Sequence, residues 1–294
     1  MKKFALFALT LCLACGSHAA RFLGTLPEWD SAENKENDPF YINTTAFDTL
    51  GEFTIEKFFG IGVEHKTVLL AEYRSTEVKD GVKIGENAFT VAINDKYPAF
   101  GGELYSSLRA MLPAESRYAM TFAFDGGWQY MLTERVALDL GGNFTYNSKR
   151  VNAAGLPGEG TTFYGDFYVG LKLDVPTTPF AYYTYNPDYL MHKFKVGIAP
   201  SIDLSEITGI EGLSVCAEIY YGYNKSNDWN NGKPDREYCY GYIQSEAQII
   251  YILNGRWRFA VGGGYSYNHK SDAELERFSP PQNAWITTSV GIIF

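Results

Sequence analysis

From His65 to the C-terminus, apolar and polar side chains alternate with a period of two, the signature of strands with one apolar and one polar face. Twelve segments emerge, at about residues 66–76, 86–95, 100–111, 116–130, 135–146, 161–173, 178–186, 191–203, 212–224, 237–252, 256–269 and 284–294. Each is bounded by turn chemistry. In 116–130, Tyr118, Met120, Phe122, Phe124 and Trp128 share a face against Thr121, Asp125 and Gln129. In 135–146, Val136, Leu138, Leu140, Phe144 and Tyr146 oppose Asp139, Asn143 and Thr145.

The connections sort by parity. Those after the even segments are short, as in "LTE" and "LNG", whereas "NSKRVNAAGLPGEG", "NKSNDWNNGKPDR" and "HKSDAELERFSPPQN" all follow odd ones. Strands of about ten alternating residues, with short turns at one end and long loops at the other, predict an all-β fold: a transmembrane antiparallel β-barrel. An even strand number puts both termini at the short-turn end. A soluble sandwich or lipocalin-like barrel also alternates, but with its apolar face inward. The strand number, the bulky aromatic face and the one-sided loops argue against it. Tyr118, Trp128, Tyr130, Tyr146, Tyr223, Tyr251 and Trp257 are expected in girdles at the membrane interfaces.

The last strand reads "WITTSVGIIF", with Phe294, Ile292, Val290 and Ile286 on one face and Thr288 as its polar member. It resembles the C-terminal signature of bacterial outer-membrane β-barrel proteins, whose final strand is read by the barrel-assembly machinery. The resemblance implies the outer membrane as location, with membrane lipid and that machinery as partners. "LAEYRSTEVKDGVKIGENAFTVAIN" is similar to the opening hairpin of porin-like members of that class, and no functional residue is carried over from it.

The N-terminus adds an export signal. Lys2 and Lys3 precede an apolar run from Phe4 to Ala14 and small residues ending Ser17-His18-Ala19-Ala20, which reads as a cleaved signal peptide over 1–20. The run is short for a retained anchor helix. "LCLAC" before Gly16 also fits a lipoprotein signal, although Cys12 stands where leucine is usual. Residues 21–62, which include "PEWDSAENKENDP", form a polar periplasmic or lumenal extension before the barrel of 63–294, or add a strand pair to make fourteen. Twelve is the preferred number.

Removal of 1–20 takes two lysines and no acids, moving the formal charge from −9 to −11. That balance argues against nucleic-acid partners. With the aromatic face on lipid, the other face collects Glu72, Arg74, Glu103, Arg109, Asp125, Asp139, Asp166, Lys172, Lys195, Glu218, Glu246 and Arg258 as pore-lining candidates. Mixed charges of this kind can line a water-filled path for small solutes, or pair and close it. The expected function is a porin-like channel, with a non-conducting structural or surface-binding barrel as the alternative.

Enzymatic chemistry finds little support. Outer-membrane phospholipases are twelve-strand barrels with His and Ser two apart on a strand; His269-Lys270-Ser271 has that spacing, but in a loop. Asp125 and Asp139 on neighbouring strands read more simply as lumen acids. No cluster has metal-ligand spacing, and no cofactor is implied. Gly262–Gly264 sits within a strand and reads as a place for close side-chain approach. Cys216 and Cys239 are expected to remain free thiols, since pairing of the two strands puts Cys216 near Ser245, about 20 Å from Cys239.

Overall fold

The computed structural model describes residues 66–152, 160–227, 238–269 and 279–294. The export signal, the 21–62 extension, His65 and Ser271 lie outside the described residues. The strands are β1 (Lys66–Lys79), β2 (Val82–Ala99), β3 (Gly102–Pro113), β4 (Thr121–Thr133), β5 (Val136–Asn147), β6 (Thr162–Leu173) and β7 (Pro179–Asn186). They continue as β8 (Met191–Ile198), β9 (Ser201–Asp203), β10 (Leu213–Ser226), β11 (Tyr238–Leu253), β12 (Trp257–His269) and β13 (Gln282–Ile293). A single helical turn, α1 (Ser205–Thr208), lies between β9 and β10.

Every neighbouring pair is antiparallel, and β13 returns to β1, from Val68↔Ile293 to Arg74↔Thr287. Phe294 donates its backbone N–H to Thr67 at 3.0 Å, which carries the closure to the last residue. β8 and β9 lie on the same edge of β10 in one unbroken register, Ile219↔Ile198 and then Cys216↔Ser201. Only Ala199-Pro200 divides them. Proline has no N–H to give the ladder, but the Pro200 carbonyl still accepts from Ala217 at 2.9 Å. The thirteen segments therefore form twelve staves, and the barrel closes at twelve.

The faces are arranged as a bilayer requires. Phe163 (59% exposed), Phe167 (50%), Val196 (56%), Val261 (50%) and Ile286 (62%) point outward all round the barrel. Asp125, Asp139, Asp166, Asn94 and Asn224 point inward and are nearly inaccessible. A soluble barrel would have the opposite arrangement. Charge against lipid costs about 2–4 kcal/mol per Lys or Arg at the midplane, so this exterior suits hydrocarbon and not water. Ile286 and Val290 are exposed outward and Ile292 is half-buried on the same face.

Three expectations need correction. Residues 77–85 are not a loop: β1 and β2 continue to a two-residue turn at Asp80–Gly81, with φ of 50° and 78°. Tyr118 is not in a girdle but buried in the β3–β4 connection, with the Arg117 guanidinium 4.8 Å from its ring. Burial pushes its phenol up, opposed by Arg117 and aided by Glu115. Third, Cys216 faces Gln248 rather than Ser245. The register Lys225↔Cys239 then puts the thiols nine residues apart along the paired strands, about 30 Å, and both are free.

Candidate functional site

The lumen gathers the buried charged and polar side chains of the described residues, and they fall into separate groups. The first laces the closing seam. Arg74 on β1 forms a two-pronged ion pair with Glu246 on β11, at 3.1 and 2.9 Å, and also binds Glu72 at 2.5 Å, with Glu77 3.7 Å away. Gln248 donates to Glu246 at 3.0 Å, and Arg258 on β12 reaches Ser289 on β13 at 2.9 Å. Glycines make room for this layer. A Cβ on Gly262 would sit 2.7 Å from the Gln248 side chain, and one on Gly264 would fall 2.1 Å from the Trp285 ring.

A second group surrounds Asp139 on β5. Tyr105 on β3 and Tyr182 on β7 donate their hydroxyls to its two oxygens, Tyr182 at 2.5 Å, and Lys172 on β6 stands 3.7 Å away. Tyr168 is hydrogen-bonded to Tyr105 at 2.6 Å. Nearby, Asn143 donates to Asp125, and Lys96 pairs with Glu103 toward the short-turn end.

The third group lies toward the long-loop end and is centred on a residue outside the twelve candidates. Asp80 forms ion pairs with Lys195 at 2.8 Å and Lys193 at 3.3 Å, and accepts from the Tyr242 hydroxyl at 3.1 Å. Lys193 also reaches Asp166 at 3.3 Å, and Lys79 donates to Tyr164 at 3.0 Å.

All twelve candidates thus lie on the inner face, but not in one ring. Glu72, Arg74, Glu246 and Arg258 share the seam; Asp139 and Lys172 share the tyrosine cluster; Asp166 and Lys195 meet around Asp80. Arg109 and Glu218 border the central cavity. Sequence reasoning missed Asp80, Lys79 and Lys193, and it assigned aromatics to lipid alone. Tyr164, Tyr168, Tyr182, Tyr240 and Tyr242 are buried on the inner face. For Tyr164 and Tyr168 on β6, strand parity with Asp166 was the signal that places them there, and for Tyr240 and Tyr242 on β11 it was parity with Gln244 and Glu246; Tyr182 on β7 had no such charged neighbour.

The central cavity has a volume of about 130 Å³ and is bordered by Thr90, Arg109, Thr121, Glu218 and Glu246, with Asp80 above. About 10–15 Å³ of such space admits one water, so the cavity has room for several. On the β2–β3 wall, Asn94, Ser107 Oγ and Arg109 Nε find no hydrogen-bond partner among the described residues. Buried polar atoms without protein partners are ordinarily satisfied by water. Toward the short-turn end the inner face changes, with Val68, Leu70, Ile250, Ile252 and Ile293 packed as an apolar cluster.

The two described histidines stay apart from this chemistry. His269 stacks on Tyr221 with ring centroids 5.7 Å apart, and His192 lies 2.8 Å from the Tyr183 hydroxyl. Both pair with aromatics of the outward-facing parity, and no group of three or more metal-binding side chains occurs among the described residues.

A closed twelve-stave barrel with an apolar exterior and a charged interior is a transmembrane β-barrel of the outer-membrane class. No protein-family model matches the chain, and no curated protein does. Among solved structures it is similar to the KdgM porin, with 11% identity over 77% of this chain and 99% of that one at a TM-score of 0.46. It is also similar to an outer-membrane channel from Pseudomonas putida F1 (9%, 84% and 98%, TM-score 0.46). A third is LpxR from Salmonella typhimurium (8%, 79% and 100%, TM-score 0.46).

Proposed function

We propose that this barrel is a narrow, porin-like outer-membrane channel for ions and small hydrophilic solutes. The observation that carries the reading is the central cavity: it is large enough for several waters, and it is bordered by charges of both signs. Arg74, Arg109, Lys172 and Lys195 face Glu72, Glu77, Glu218 and Glu246 around it, so neither sign of solute is strongly excluded. The unpartnered polar atoms on β2 and β3 support a hydrated path along that wall. In the same reading residues 1–20 are a cleaved export signal, and Ile286, Val290, Ile292 and Phe294 are read by the assembly machinery.

The test is stepwise conductance of the purified chain in a planar bilayer. Discrete steps in molar salt are expected, and their absence rejects the channel. A second reading, a non-conducting structural or surface-binding barrel, is favoured by the apolar cluster that occupies part of the short-turn end. Silence in the bilayer would select it. Catalysis is not part of the proposal, and phospholipid hydrolysis lost in His269→Ala would reopen that question.

A further inference from the structure

The β1–β2 hairpin does not stay in the barrel wall. β1 leaves β13 after Arg74↔Thr287, while β13 continues along β12 as far as Gln282. From there the hairpin's tip reaches side chains of β6, β8, β11 and β12. In the ring of twelve, β7 is diametrically opposite β1 and β8 is opposite β2, so Tyr164 on β6 and Lys193 and Lys195 on β8 belong to the far wall. The tip therefore crosses the lumen.

Its attachment leaves little slack. The Gly81 N–H donates to Gln244 Oε1 at 3.2 Å, its carbonyl accepts from Asn268 at 2.7 Å, and the Lys83 N–H donates to Ser279 at 2.9 Å. A Cβ on Gly81 would lie 2.2 Å from the Asn268 oxygen. Val82 is fully buried in a cluster with Tyr164, Tyr189, Met191, Tyr240 and Tyr242. Close packing of this kind describes a fixed strap and not a swinging lid. Among the described residues the charges that meet at its tip are Lys79, Lys193 and Lys195 against Asp80 and Asp166, so Asp80 is one of two acids in that group.

We propose that this hairpin is the element that limits passage through the lumen, and that Asp80 sets the charge preference there. The proposal rests on a lumen that can conduct, and the experiment separates the two. The full chain and a variant with Val78–Lys83 replaced by Asn-Gly, a two-residue turn that recloses the hairpin, are compared in planar bilayers. Folding is checked by heat-modifiable gel mobility. Conductance several-fold above that of the native barrel is expected, whether the native barrel conducts or is silent. A folded variant that conducts as the native barrel does overturns the strap. A silent native barrel with a conducting variant ends the open-channel reading and leaves the strap standing; equal, open conductance does the reverse.

Should the shortened hairpin not fold, Asp80→Asn combined with Val82→Ser loosens the tip without cutting the chain. The same gain is expected, and unchanged conductance overturns the strap. Asp80→Asn, measured alone or, where the native barrel is silent, by comparing Val82→Ser with the Asp80→Asn/Val82→Ser pair, tests selectivity, and Asn-Gly keeps the turn type. Cation permeability should fall roughly fivefold, the effect of one unit charge at about 4 Å in water, and the anion-over-cation ratio should rise by at least that factor. An unchanged ratio rejects the role of Asp80.

Discussion

At the level of single residues, the lumen's acids are held by donors from neighbouring staves. Asp139 joins β3, β5, β6 and β7 through Tyr105, Tyr182 and Lys172. Tyr182→Phe removes a donor to a charged oxygen and should cost about 1.5–3 kcal/mol. Tyr168→Phe removes only a hydroxyl–hydroxyl contact and should cost about 0.5–1.5 kcal/mol. Urea titration in phospholipid vesicles ranks the two, and the reverse order would reject this account of Asp139. Arg74 presents a harsher case, with three carboxylates within 4 Å. Arg74→Met leaves those acids without their shared cation, a loss of about 3–5 kcal/mol. Adding Glu246→Gln should restore part of it, because one of the repelling charges goes with it. Simple additivity of the two losses in the same titration would show that the residues do not act as a pair.

At the level of elements, parity made most of the site legible and chemistry hid the rest. Inward placement of the twelve charged candidates follows from alternation alone, since a strand has only two faces. The seam network was not legible, because which inward charges meet depends on register and on the tilt between staves. Arg74 and Glu246 are 172 residues apart in the chain. The hairpin tip was missed for another reason. Along 69–73 the outward positions are Leu69 and Tyr73, but from Val78 the apolar residues on the inner side are Val78 and Val82, both buried, and Ile84, partly buried against the cluster that holds Val82. The pattern inverts where the chain leaves lipid, and an inverted pattern was read as a break between strands. The Gly262–Gly264 run was legible, since close approach is what glycine in a strand allows. Gly264→Ala puts a methyl group into the Trp285 ring. Overpacking of about 1–3 kcal/mol is expected, with a shift in tryptophan emission as the ring moves. Unchanged emission and stability would mean the ring has room that the geometry denies.

For the whole molecule, the decisive property is that its two faces answer to different solvents. Phe167 lies at the middle of β6, half exposed on the outer face, with the Phe144 ring edge-on 6.0 Å away. One residue earlier, Asp166 is buried on the inner face and bound to Asn186 and Lys193. If the exterior faces hydrocarbon, Phe167→Lys places an ammonium near the midplane and should lower stability in bilayers by about 2–4 kcal/mol. The lumen should respond differently. Ser107→Lys, on the inner face among unpartnered polar atoms, should change ion selectivity with a smaller loss of stability, since water and the nearby Asp125 can receive the charge. Vesicle unfolding together with bilayer reversal potentials separates the two effects. If Phe167→Lys were as well tolerated as Ser107→Lys, the outer face would be a watered surface, and the transmembrane orientation of the barrel would fall with it.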